Sequence, residues 1–135
     1  MGEEPQNIRE FKEMVGTILG RLYDVHPSEL PNDADAFIQE DRLTDEIVDL
    51  FDGTSNYLVR GGFLHQDEQF YLQLTPASWD VMQKPNPLRP DEAIGKTLAT
   101  WTKQAASDVG KATVAQAASA ALTMLYTALK AGGGG

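Results

Sequence analysis

The chain contains no cysteine and only two histidines among its 135 residues. Without cysteine it cannot form a disulfide, bind zinc through thiolates, hold an iron–sulfur cluster or attack a substrate with a thiol. With only two histidines, the sequence disfavours a histidine-based metal site and a catalytic triad. We therefore predict that the protein is not an enzyme and that it needs no metal and no cofactor.

Basic residues are also scarce. Lys and Arg total 11 against 20 Asp and Glu, which gives a formal net charge of -9 and a pI of about 4.5. This balance disfavours a main role in neutralising nucleic-acid phosphates or an anionic membrane surface. Residues 1–7 have neither the basic nor the apolar region of a secretory signal, so we expect a cytoplasmic protein.

The acid-rich segment after residue 32 lacks the pattern of a calcium loop. An EF-hand loop counted from Asp33 needs an oxygen ligand at its fifth position, glycine at its sixth and glutamate at its twelfth. The sequence has Phe37, Ile38 and Thr44 at these positions. The segment is therefore predicted to be a solvated acidic loop with one or two helical turns.

A change in charge and residue composition, together with a cluster of prolines, divides the chain into two parts. The first 90 residues hold 17 acids and seven Lys or Arg, whereas the last 45 hold three acids and four Lys and are rich in Ala and Thr. Three prolines between residues 85 and 90 prevent a helix and favour extended backbone. We predict a domain at 8–84, a proline-rich hinge at 85–90, an Ala-rich C-terminal helix at 91–131 and a flexible glycine tail at 132–135.

Two helices are predicted in the first domain from periodicity and capping signals. Apolar residues recur every three or four positions over residues 8–25, which places them on one helix face. A second helix over 44–60 begins at Thr44, a favourable N-cap, and ends at a Gly-Gly pair. Gly53 costs this helix roughly 1 kcal/mol relative to alanine, which predicts either a break or close packing at that position.

A two-stranded hairpin is predicted after the second helix. Phe70, Leu72 and Leu74 alternate with Tyr71 and Gln73 behind a polar turn, which is the period of a half-buried strand. Thr75 and Pro76 then supply an N-cap and a proline at the first helical position. We expect a short helix from this point to about Met82.

Two local stretches and the order of these elements resemble a winged helix-turn-helix domain. Leu58-Val59-Arg60-Gly61-Gly62-Phe63-Leu64 resembles the end of a recognition helix that passes into the first wing strand. Tyr71-Leu72-Gln73-Leu74-Thr75-Pro76, followed by Trp79, resembles the second wing strand and its return helix, although Ser78 stands where glycine is common. The resemblance covers residues 8–84 and implies an α+β, mainly α fold: a winged-helix-like domain with a small β-hairpin wing plus a C-terminal small-residue helix.

This resemblance does not by itself imply DNA binding, because winged-helix domains also dock onto proteins. In DNA-binding members the third helix enters the major groove and presents basic or amide side chains to the bases. Here the corresponding helix and the wing tip carry acids, which repel a polyanion at low salt. We therefore predict a non-enzymatic protein-interaction module whose partner-binding residues are Asp45, Asp49, Asp52, Asn56, Asp67 and Glu68.

Two alternatives stay open at this point. In the first, the protein is a DNA-binding transcriptional regulator in which Arg42, Asn56 and Arg60 reach the duplex. A dimer formed through the C-terminal helix would then supply a second half-site. In the second, weaker alternative, the protein is an effector that associates with a membrane through residues 94–130.

The composition of the C-terminal helix favours contacts between helices. Residues 112–129 contain no charged side chain, and this length is at the lower edge of a membrane span. Polar side chains such as Gln116 and Ser119 make insertion unfavourable, whereas the many small side chains allow close approach of another helix. We predict that this helix packs against the first domain or forms a homo-oligomer.

Overall fold

A computed structural model describes residues 4–103 and 108–132, and it has an α+β, mainly helical fold. Its helices are α1 (Gln6–Val25), α2 (Asp45–Arg60), α3 (Pro76–Met82), α4 (Ile94–Thr102) and α5 (Asp108–Gly132). Its strands are β1 (Leu30–Pro31), β2 (Leu64–Gln66), β3 (Tyr71–Leu74), β4 (Pro85–Asn86) and β5 (Arg89–Ala93). Two single-turn 3-10 helices, Ala34–Ala36 and Glu40–Arg42, lie between β1 and α2. The predicted α+β, mainly α class is confirmed.

The caps of α2 and α3 form where the sequence predicts them. The Thr44 side chain accepts a hydrogen bond from the Ile47 N–H at 3.1 Å, so Thr44 is the N-cap of α2. Thr75 caps α3 in the same way, with Pro76 at the first helical position. α1 presents its apolar stripe to the core, where the fully buried side chains are Val15, Ile18, Leu19 and Leu22.

The prediction for Gly53 is wrong. α2 runs without a break from Asp45 to Arg60, and Gly53 is exposed on it. Apart from its chain neighbours and the nearby backbone of α2 itself, no atom would lie within 4 Å of a β-carbon added at this position. The glycine therefore neither breaks the helix nor permits close packing, and its position faces open solvent.

The predicted hairpin of β2 and β3 is confirmed, and a third strand joins it. Leu64 pairs with Leu74 and Gln66 with Leu72 in an antiparallel ladder. β1 pairs with the other edge of β3, so the strand order is β1-β3-β2. The sequence gives no sign of β1, because a strand of two residues that includes Pro31 shows no alternating pattern.

The proline-rich segment and the helix after it differ from the prediction. β4 and β5 pair with each other across this segment, so part of it is a second hairpin. The buried Asn86 side chain donates a hydrogen bond to the Thr97 hydroxyl at 3.2 Å, which connects the hairpin to α4. A single helix over 91–131 is wrong, because β5 continues to Ala93 and α4 and α5 follow as separate helices. Of the predicted glycine tail, Gly132 ends α5 and residues 133–135 lie outside the described residues.

α4 and α5 pack against α1 within one buried cluster. Side chains of all five helices and of strands β2 and β3 contribute to this cluster. A β-carbon on Gly20 of α1 would lie 2.8 Å from the carbonyl carbon of Leu98 in α4, so the two backbones cross closely. A β-carbon on Gly16 would in the same way meet the side chain of Val114 in α5. Of the two predicted roles of the C-terminal segment, packing against the first domain is therefore observed. The domain boundaries themselves stay a prediction.

α5 contains the one segment of the described residues that is long and apolar enough to cross a membrane by length and composition, Gly110–Lys130. A helix in the core of a soluble protein satisfies the same criterion. Val114, Ala118 and Leu125 on this segment are buried inside the fold. The segment therefore gives only weak support for a membrane span.

Candidate interaction site

Four of the predicted partner-binding residues share one face of α2. Asp45, Asp49, Asp52 and Asn56 follow one another at steps of four, three and four residues, and all four are exposed. These steps keep side chains on the same side of a helix. The two ion pairs seen within the described ranges, Lys12–Glu4 and Lys103–Asp24, lie elsewhere. We call these four residues the acidic face of α2.

The residues of the DNA-binding alternative are spread over the length of α2. Arg42, Asn56 and Arg60 are exposed, but Arg42 precedes the helix and Arg60 ends it. A helix of 16 residues is roughly 24 Å long at 1.5 Å per residue. The structure brings Asn56 and Arg60 together within one turn. The carboxylates of the acidic face lie between these two residues and Arg42.

Asp67 shapes the turn between β2 and β3, which we call the wing tip (residues 67–70). Its carboxylate accepts hydrogen bonds from the N–H groups of Gln69 and Tyr71, both at 2.9 Å. These bonds, that of Tyr71 first, lower the pKa of Asp67 below its ordinary value. Asp67 therefore has a structural role in the turn, whereas the neighbouring Glu68 is exposed.

Glu29 adds a carboxyl group to the wing tip that the sequence does not reveal. A hydrogen bond with Asp67 is the main cause of a raised pKa of Glu29. The side chain of Glu29 is exposed, and it comes from the segment just before β1. No local pattern signals this proximity, because it arises from the pairing of β1 with β3.

Phe70 is the second residue of the wing tip that the sequence does not identify. The alternating pattern assigns it to a strand, but β3 begins at Tyr71, and Phe70 lies in the turn with φ 65°. This left-handed backbone is uncommon for a bulky residue other than glycine. The side chain is 66% exposed, the largest value among the exposed large hydrophobic residues.

A cleft of about 590 Å³ lies on another side of α2, between α1, the 3-10 helices and the ends of α4 and α5. Its apolar walls come from Met14, Phe37, Ile38, Ile47, Leu50 and Val114. Charged side chains of both signs surround them, among them Glu10, Glu13, Arg21, Arg42 and Lys111. Because the two signs are mixed, the cleft does not select a ligand of one charge.

Glu13 lines this cleft, and the pKa of its carboxyl is raised. Burial raises the pKa of its carboxyl, Lys111 opposes the shift and Glu10 adds to it. Within the described residues no group of three His, Asp or Glu is placed to hold a metal ion. A raised carboxyl pKa alone does not define a catalytic site, since acid–base catalysis also needs a positioned reaction partner.

Comparisons of the chain with protein-family models, with curated proteins and with solved structures find no match. The winged-helix resemblance therefore rests on the order of the elements and on the local stretches that carry it.

Proposed function

We propose that this protein is a non-enzymatic, winged-helix-like interaction module that binds a basic surface of a protein partner through the acidic face of α2. The observation that carries the proposal is the alignment of Asp45, Asp49, Asp52 and Asn56 on one exposed helix face. Charge complementarity of this kind mainly raises the association rate and excludes partners of the wrong sign.

The order of the elements supports a winged-helix-like arrangement. α1 is followed by a short strand, a segment of single helical turns, the long helix α2 and the hairpin of β2 and β3. In a winged-helix-like arrangement with this order, α2 would correspond to the recognition helix. The exposed helix of the domain would therefore contact a protein instead of a nucleic acid.

A charge-neutralising variant tests the assignment of this surface. The partner is first isolated by affinity purification on the full chain, and its dissociation constant is then measured. We expect the triple variant Asp45→Asn, Asp49→Asn, Asp52→Asn to weaken binding several-fold at low salt, with a smaller effect at high salt because salt screens exposed charges.

The matched control removes three exposed acids elsewhere, as Glu40→Gln, Asp41→Asn and Asp91→Asn. It changes the net charge by the same amount, so it should leave the affinity close to that of the wild type. Equal losses in both triple variants would show that net charge alone is responsible. An unchanged affinity in the first triple variant would show that the acidic face is not part of the interface.

The DNA-binding alternative makes a different prediction. Fluorescence anisotropy of a mixed-sequence duplex at low salt should detect the non-specific affinity that DNA-binding proteins show. The alternative requires saturable binding that fades with added salt and with Arg60→Ala. We expect no saturation, because the carboxylates of the acidic face lie between Arg42 and Arg60 along α2.

Self-association through the C-terminal helix stays part of the proposal. α5 uses one face to pack within the fold and leaves Ala112, Gln116, Thr123 and Thr127 exposed. Sedimentation equilibrium tests whether this exposed face joins two copies. A single monomer mass over a hundredfold range of concentration would exclude self-association.

A further inference from the structure

We propose that Phe70 is the hydrophobic anchor of a protein–protein interface, and that its partner offers an apolar pocket rimmed by Lys or Arg. The inference rests on the proposed interaction function. It extends the binding surface from the acidic face of α2 to the wing tip.

Phe70 is unfavourable for the isolated fold in two independent ways. Its φ of 65° is a backbone conformation that suits glycine, and the residue is 66% exposed to solvent. None of the ring–ring contacts among the described residues involves Phe70. Strained residues concentrate at functional sites, and a mostly exposed aromatic residue with a left-handed backbone fits that description.

The wing tip holds Phe70 in a defined position. Its N–H donates to the carbonyl oxygen of Asp67 at 3.0 Å, and its own carbonyl accepts from the Asn32 N–H at 2.8 Å. The Asp67 carboxylate fixes the residues on either side through the N–H groups of Gln69 and Tyr71. A ring presented on such an ordered turn loses little conformational freedom on binding, which favours an anchor role.

The charges around Phe70 define the kind of partner. Glu29, Asp67 and Glu68 are the acids at the wing tip, and Glu29 and Glu68 are exposed. A tip with this charge is repelled by nucleic-acid phosphates and by an anionic membrane. Protein interfaces often combine a central aromatic residue in an apolar pocket with a charged rim. A protein surface with an apolar pocket and a basic rim is therefore complementary to the wing tip.

Site-specific photo-crosslinking tests the position and the class of partner. The full chain is expressed in its host cell with p-benzoylphenylalanine in place of Phe70, and as a control in place of Leu88. Leu88 is 63% exposed on the turn between β4 and β5, so it is a matched exposed hydrophobic residue away from the wing. We expect a protein adduct from position 70 that excess wild-type protein suppresses, and no such adduct from position 88.

Several crosslinking results would overturn the proposal. These are the absence of an adduct at position 70, equal adducts at both positions, or adducts only with lipid, nucleic acid or a second copy of this chain. A crosslinked peptide without Lys or Arg near its apolar side chains would also contradict the stated chemistry.

The partner identified by crosslinking is then purified in its native form. Its dissociation constant for each variant of the chain, determined by titration, measures what the Phe70 ring contributes to binding. We expect Phe70→Gly to weaken the dissociation constant at least tenfold, as for an interface hot spot, and Leu88→Ala to change it less than twofold. Glycine suits the left-handed backbone, so Phe70→Gly should melt no earlier than the wild type. Phe70→Met keeps an apolar side chain and should retain more affinity than Phe70→Gly.

The same titration separates this inference from the proposed function. If Phe70→Gly binds as tightly as the wild type while the triple variant of the acidic face loses affinity, the anchor is wrong and the proposed function stands. If only Phe70→Gly loses affinity, the anchor stands and the acidic face is not the interface. If neither variant loses affinity, both assignments fail.

Discussion

Glycine has opposite roles at two positions in the helices of this protein. At Gly20 the absence of a side chain lets α1 cross α4, because a β-carbon would lie 2.8 Å from the Leu98 carbonyl carbon. At Gly53 there is open space around the backbone. The same residue type therefore permits packing at one position and only weakens a helix at the other.

This contrast predicts stability changes of opposite sign. Gly53→Ala should raise the free energy of unfolding by about 0.5–1 kcal/mol, because alanine has the better helix propensity and meets no neighbour. Gly20→Ala should lower it by about 1–3 kcal/mol, since the new methyl group must push the two backbones apart. Urea denaturation of both variants checks the pair. A stabilising Gly20→Ala would contradict the close crossing of α1 and α4.

Asp67 and Glu29 form a carboxyl pair at the wing tip, and their pKa values are shifted in opposite directions. The pKa of Asp67 is lowered by its backbone hydrogen bonds, so its stabilising effect is present above its unfolded pKa and is lost as the pH falls through the folded value. The pKa of Glu29 is raised by the hydrogen bond with Asp67, so its effect is present below its unfolded pKa and is lost as the pH rises through the folded value.

NMR titration of the side-chain carboxyl carbons measures both values directly. Asp67→Asn removes a charged partner and should return the pKa of Glu29 toward its ordinary value. Glu68→Gln removes a neighbouring charge that is not among the causes of the Glu29 shift, so it serves as the control. Equal Glu29 titrations in the wild type and in Asp67→Asn would contradict the pairing.

The elements that the sequence predicts are those with local signals. α1 and α2 show their periodicity and α2 and α3 their caps within a few residues, and the hairpin of β2 and β3 shows its alternation. The sequence does not reveal β1 or the β4–β5 hairpin, because each of these strands forms by pairing with another segment and contains a proline that hides the alternating pattern. The same limit applies to the candidate site. Helical spacing predicts the acidic face of α2, whereas the position of Glu29 beside Asp67 depends on the sheet.

The N-cap of α2 gives a prediction at the scale of one element. Thr44→Ala should lower the free energy of unfolding by about 1 kcal/mol, because the Ile47 N–H loses its acceptor. Thr44→Ser keeps a hydroxyl at the same place and should stay close to the wild type. Thermal unfolding followed by circular dichroism compares the three proteins. Equal melting of the alanine and serine variants would show that the cap contributes nothing.

At the scale of the whole molecule, the helices on both sides of the proline-rich segment share one buried cluster. Leu98 of α4 is fully buried, and it lies close to both Gly16 and Gly20 in α1. Trp79 lies on the other side of the segment and stacks on Tyr23 and His26. Fluorescence of Trp79 therefore reports the unfolding of the part of the chain that does not contain Leu98.

Leu98→Ala should consequently destabilise both parts together. In a Trp101→Phe background, in which Trp79 is the remaining tryptophan, we expect the free energy of unfolding to fall by about 2–5 kcal/mol, the usual cost of a buried leucine-to-alanine change. The background protein with Leu98 intact is the control. An unchanged Trp79 transition would mean that residues 8–84 fold independently, as the predicted domain boundary implies.

The packing of α1 against α4 and α5 also affects how the protein folds during synthesis. α1 is synthesised before the helices that pack against it, because α4 begins at Ile94 and α5 at Asp108, about 70 and about 80 residues after the end of α1. At a synthesis rate of about 5–20 residues per second, the part of α1 that these two helices cover stays exposed for on the order of ten seconds. During that interval apolar side chains of α1 face water, and the buried cluster is complete only when α5 has been synthesised.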